Sequence, residues 1–196
     1  MTSKIIYIGG VSASGKTNTV QTVVERLNRE YPEQIEHVNG GTELKKAAQE
    51  VFGKSVNSLN NRQLAKIRTL LYQHAVDSIA NVVLFVHHFT HAPKTSAEQS
   101  VIIPNRPFSS ILLPHVKHFI LIESPLNAVR IRRIVDSAKK PRLIGYEDIL
   151  RGIVSQRIVA RAVAREQHIP LTIVTNKEGR AQQTVRQIER IVRRHL

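Results

Sequence analysis

Gly10, Gly15, Lys16 and Thr17 stand at the spacing G-x-x-x-x-G-K-[ST], directly after the apolar run Lys4 to Gly9. The glycines allow backbone angles that other residues resist and leave no side chain to block an anion, so consecutive N–H groups can turn inward around phosphate. Lys16, an exposed point charge by this reading, reaches the β/γ-phosphates of a nucleotide. Thr17 places its hydroxyl on Mg²⁺, and the helix that starts there aims its positive end at the same phosphates. The phosphate cradle comprises Gly10, Ser12, Ala13, Ser14, Gly15, Lys16, Thr17 and Asn18. The competing reading is a glycine turn with an incidental lysine, and the strand-loop-helix context argues against it.

The elements that position this loop follow from hydrophobic period. Lys16 to Glu30 carries Val20, Val23, Val24 and Leu27 at helical spacing and ends at Tyr31-Pro32. A second strand is expected over Gln34 to Val38, a helix over Glu43 to Phe52, a long helix over Arg62 to Ala80 and a third strand over Val82 to Val86. His87 to Pro107 reads as a loop at that strand's carboxyl end, where open α/β sheets seat ligands. A short helix over Phe108 to Leu113, a strand over Lys117 to Ile122 and a helix over Leu126 to Val135 come next. A helix over Tyr146 to Gln167, a strand over Leu171 to Val174 and a helix over Gly179 to His195 close the chain. Strands separated by helices predict an α/β fold, a five-stranded parallel sheet with helices on both faces.

The 196 residues fit one domain, 1–196. Cysteine is absent, which excludes disulfides and thiolate metal sites. No apolar run approaches the roughly 20 residues of a membrane span, and the chain enters a strand at once. The expectation is a soluble, cytoplasmic protein with no membrane contact. The net charge of +14 exceeds what one nucleotide needs. It fits RNA or ribosome contact through a basic surface and, equally, a plain solvated surface. Arg157, Arg161 and Arg165 form one helical stripe, and Arg186, Arg190, Arg193 and Arg194 another. Aromatic content of 5% argues against a base-stacking platform.

With these elements in order, the chain resembles the nucleoside monophosphate kinases, most of all the archaeal-type adenylate kinases. Ile5 to Thr19 is similar to their opening strand and phosphate loop, Val38 to Lys46 to the start of their monophosphate-binding helix, Ile102 to Pro125 to their stretch through the fourth strand, and Arg130 to Arg142 to their lid, here placed around 130–146. The resemblance implies a P-loop NTPase of the three-layer nucleotide-kinase type that moves the γ-phosphoryl of ATP, with Mg²⁺, onto an acceptor phosphate, AMP foremost. Phosphoryl transfer needs positive charge around the equatorial oxygens, and Lys16, Arg133 and Arg142 are the groups expected there, with Arg130 and Arg132 as alternatives. The acceptor would meet Gly41, Thr42 and Lys45 or Lys46, and the competing reading of Thr42 is an ordinary helix cap.

One departure concerns the metal. Related kinases carry an aspartate just past the third strand, whereas this chain reads Phe85-Val86-His87-His88-Phe89. Neutral imidazole is a poor Mg²⁺ ligand. His87 and His88 could donate to acceptor phosphate or serve as polar loop residues, and Glu123 is the nearest replacement carboxylate for the metal. A transition-metal site from His87, His88 and His91 lacks a nearby carboxylate in sequence. The alternative function is a nucleotide-binding ATPase associated with RNA or the ribosome, with weak or no monophosphate transfer. Oligomeric state is left open.

Overall fold

Ile5 to Ile8, Val82 to Val86 and Phe119 to Ile122 are continuous apolar runs, as strands covered on both faces must be. The computed structural model describes residues 3–90, 110–137 and 144–196. In chain order these form β1 (Lys4–Gly9), α1 (Lys16–Glu30), β2 (Ile35–Asn39), α2 (Gly40–Phe52), α3 (Asn61–Val76), β3 (Val82–Val86), β4 (Val116–Glu123), α4 (Leu126–Ser137), α5 (Tyr146–Glu166), β5 (Leu171–Thr175) and α6 (Ala181–Arg193). The strands lie in the order β2-β3-β1-β4-β5, all parallel. This is the expected α/β architecture, with β1 central and the phosphate loop leaving its carboxyl end.

Alternation along the strands divides the core between two faces. Ile5, Tyr7, Val83, Phe85, Phe119 and Leu121 pack against α2, α3 and α5. Ile6, Ile8, Val82, Leu84, Ile120 and Ile122 pack against α1 and α6. Register places Tyr7 beside both Phe85 and Phe119, with ring centroids 5.7 and 5.9 Å away, and Phe89 closes the cluster 5.0 Å from Tyr7. Each buried aliphatic or aromatic side chain of this kind is worth about 1.5–3 kcal/mol. Five of the chain's nine aromatic residues, Tyr7, Tyr72, Phe85, Phe89 and Phe119, are spent here, directly beneath the loop.

Several boundaries differ from expectation for local reasons. α2 starts at Gly40, because Asn39 Oδ1 accepts from the Thr42 N–H and so caps the helix three residues early. Thr42 is therefore inside the helix and is not its cap. α3 ends at Val76 instead of Ala80. It opens on a capping box in which Asn60 and Gln63 exchange bonds. Residues 110–112 form a turn before a short 3₁₀ segment, Leu113–His115, where a helix from Phe108 was expected. Residues 91–109 and 138–143, which include His91, Arg142 and part of the expected lid, lie outside the described residues.

His118 on β4 sits at the sheet end away from the loop, with Nε2 2.9 Å from Thr172 Oγ1 and its ring 5.8 Å from that of His195. Burial, then the charges of His195 and Arg194, push its pKa down to about 4. Burial also lowers His37, and burial together with Lys4, Arg194 and Lys117 lowers His195. The unfolded histidines titrate near 6.5 and so take protons first on acidification. Stability should hold above about pH 6.5 and fall as pH drops toward 4, with His118 contributing about 1 kcal/mol after allowance for solvent screening. Urea denaturation across this range should show the loss, and His118→Gln, which keeps a partner for Thr172, should flatten it. An unchanged slope would refute the assignment.

Candidate active site

The site begins with the peptide groups of the loop itself. Gly10 adopts φ +144° with the Ile122 carbonyl only 2.3 Å from where a Cβ would stand, and Gly15 adopts φ +86° against the Asn176 amide, also 2.3 Å from such an atom. Backbone rather than a movable side chain blocks the first position, so a methyl there would displace the loop. Ala13 takes φ +68°, an unusual conformation for a residue with a Cβ. Sequence reasoning assigned this permissiveness to the glycines alone.

Five successive carbonyls are each held by a side chain. Lys16 Nζ donates to Gly10 O at 2.7 Å and to Val11 O at 2.8 Å. Arg133 Nε donates to Ser12 O at 3.4 Å, and Arg132 to Ala13 O at 3.2 Å. Ser124 Oγ and Asn176 Nδ2 donate to Ser14 O at 2.9 and 3.0 Å. In a trans peptide the N–H lies opposite its carbonyl, so fixing the carbonyls fixes the N–H directions. Ser14 Oγ is buried without a hydrogen-bond partner, an unspent donor within the loop. The donor set fits a phosphate chain.

Lys16 is not the exposed charge that sequence suggested. It is 8% accessible and lies folded along the loop on two carbonyls. Arg133 is likewise buried, and Arg132 also touches Ser124 Oγ. Arg130 is exposed. The register within the arginine cluster thus becomes visible, since a helix with residues 132 and 133 facing the loop turns 130 away. Ser124 and Asn176 were missed. Their signal was position, because each follows the last residue or two of a strand at the carboxyl edge where ligands gather.

His88 is spoken for by the loop. Its Nδ1 lies 2.6 Å from Gly10 O, and its own carbonyl accepts from Tyr7 Oη at 2.7 Å. Burial holds the Tyr7 hydroxyl well above its ordinary pKa, so it stays protonated and donating. His87 stacks on Phe85 and lies against Gly40 at the start of α2. Gly41, Thr42, Lys45 and Lys46 are exposed on the first turns of that helix. Asn39 bridges the two ends of the site, with Nδ2 3.5 Å from Thr17 Oγ1 while its Oδ1 caps α2.

Thr17 is exposed and fits Mg²⁺, which keeps several waters and is bound largely by substrate phosphates. Glu123 does not fit. Both of its oxygens accept from Arg157, at 2.8 and 2.7 Å, and the pairing raises the arginine's pKa. The expected carboxylate ligand is a structural ion pair between β4 and α5. Among the described residues, no cluster of three or more His, Cys, Asp or Glu could hold a metal. The same pairing breaks the predicted α5 stripe, leaving Arg161 and Arg165 exposed, and on α6 Arg193 is bound to Glu30 at 2.6 and 2.7 Å. Glu123→Gln should therefore leave the Mg²⁺ dependence of nucleotide binding unchanged while lowering stability by about 1 kcal/mol, since the pair is partly exposed. Titrating Mg²⁺ against both proteins, alongside thermal melts, checks it. A large shift in the Mg²⁺ midpoint would restore Glu123 as a ligand.

No known family model matches the chain, and neither does any curated protein. Solved structures do resemble it. A shikimate kinase from Bacteroides thetaiotaomicron superposes with a TM-score of 0.55 at 17% identity, covering 97% of this chain and 98% of that one. A shikimate kinase from Acinetobacter baumannii in complex with shikimate gives 0.57 at 14% identity, covering 97% and 93%. Neither is an adenylate kinase. The five-stranded parallel sheet and its helices have the P-loop kinase fold of these two structures.

Proposed function

We propose that this protein is an ATP-dependent P-loop kinase acting on a small-molecule acceptor. The observation that carries the reading is the set of donors on the carbonyls of Gly10 to Ser14, two of them arginines from α4. Phosphoryl transfer asks little covalent help of a protein. It asks for fixed positive charge around the equatorial oxygens. An arriving phosphate chain would draw Lys16 from the carbonyls of Gly10 and Val11 toward the β/γ oxygens, and Thr17 would hold Mg²⁺, which neutralises developing charge when bound. The bond from Pγ to the β–γ bridging oxygen breaks, a bond from Pγ to the acceptor oxygen forms, and ADP leaves.

The acceptor would lie at the start of α2, where the backbone of Gly41 and Thr42 opens beside Asn39 and His87. A nucleoside monophosphate suits a helix N-terminus, and AMP is the first to test by the adenylate kinase resemblance. His87 favours a second reading. Its imidazole against Gly40 is a group able to take a proton from an acceptor hydroxyl, the chemistry that likeness to shikimate kinases suggests.

A panel of monophosphates and small hydroxylated acids with MgATP separates these readings by product. Diphosphate formation supports the first. Phosphate-ester formation from a hydroxyl acceptor, lost in His87→Ala, supports the second. ATP hydrolysis without transfer, joined to RNA binding that weakens steeply with salt, would instead favour the RNA-associated ATPase. Lys16→Ala should lower turnover by about 10²–10³-fold, as for removal of one transition-state donor. Because Lys16 also bridges two loop carbonyls, ATP affinity should fall as well. Wild-type turnover and affinity in that variant would overturn the site.

A further inference from the structure

Eleven large hydrophobic side chains are more than a third exposed among the described residues, and eight of them fall between Ile131 and Ile158. α4 and α5 pack on each other and on Val11 through Val129, Ile149 and Ile153, so their inner faces are satisfied. The outer face of α5 is not. Tyr146, Leu150, Val154 and Ile158 recur every fourth residue and are 57, 46, 41 and 50% exposed. At about 100° per residue, Glu147, Leu150, Val154, Ile158 and Arg161 fall within an arc of about 80° centred on Val154. Along the helix axis, apolar residues hold the middle of this stripe and opposite charges its two ends.

That order is self-complementary only when the helix meets a reversed copy of itself. We propose that the protein forms a two-fold dimer in which α5 packs antiparallel on α5 of a second copy, with the axis at Val154. Pairing about this point sets Val154 on Val154, Leu150 on Ile158 and Glu147 on Arg161 of the second copy, and the same contacts recur by symmetry. Tyr146 falls against Ala162, a large side chain on a small exposed one. Neither Glu147 nor Arg161 has an ion-pair partner among the described residues. Arg157, which would otherwise confront Arg151 of the second copy, is drawn onto Glu123.

Sedimentation equilibrium on the full chain reads the outcome directly. Wild type should sediment at twice its 22.1 kDa, and Val154→Arg, which brings two guanidinium groups together on the axis, should be monomeric with an unchanged circular dichroism spectrum. Glu147→Arg and Arg161→Glu should each weaken association by about tenfold or more, and the double exchange should recover it, because residue 147 then meets the opposite charge at 161. A monomeric wild type, a Val154→Arg dimer, or a double exchange no better than its parents would each overturn the proposal. Where Val154→Arg fails to fold, the charge exchange decides alone.

Discussion

A tight loop that turns its peptide N–H groups to one side must dispose of the carbonyls of the same peptides, and the side chains around this loop do so. Water cannot serve reliably where an anion must enter, and an unpaired buried carbonyl costs about as much as a lost hydrogen bond. The donors arrive from α1, α4, the ends of β4 and β5 and the segment after β3: Lys16, Arg132 and Arg133, Ser124, Asn176 and His88. A parallel sheet brings all its carboxyl ends to one edge, so a single loop can be gripped from several strands at once. β1 is central for the same reason, since its neighbours on both sides, β3 and β4, deliver residues to the loop.

The layer beneath is coupled to this grip by chemistry rather than by proximity alone. Tyr7, buried among Phe85, Phe89 and Phe119, donates to His88 O, and the His88 ring meets Gly10 O. A core aromatic thus fixes the histidine that fixes the loop. Gln156 of α5 makes the companion anchor, accepting from the Phe89 N–H and donating to Thr90. The two contacts hold the chain just past β3 from below and from the side. In place of an aspartate, the segment here supports the loop.

What could be read from residues was whatever depends on local period or short spacing. The apolar runs of β1, β3 and β4, the helix from Lys16 to Glu30 and the loop motif all have causes that lie within a few residues. The remaining features have distant causes. Ser124 and Asn176 are 110 and 162 residues from Ser14 along the chain, so their places at strand ends put them at the right edge but nothing local says which carbonyl they hold. Glu123 looked like a ligand because it ends a strand at the right edge, yet Arg157, 34 residues later, takes both oxygens. The α2 boundary failed on a smaller scale. Thr42 and Asn39 are both good caps, and the choice fell to Asn39, which also reaches Thr17 from β2.

Charge placement follows from the same geometry. Among the described residues, the side chains that hold the loop's carbonyls include no carboxylate, and Glu123 nearby is paired with Arg157, so a phosphate arriving there would meet basic groups. With no carboxylate among residues 87–90, the segment after β3 offers neither repulsion to phosphate nor affinity for a metal. On the proposed reading, a cation at Thr17 would be held mainly by the nucleotide that brings it. Binding of metal and nucleotide should be more tightly linked here than in a site with its own carboxylate, because the protein alone offers the metal too little to hold it.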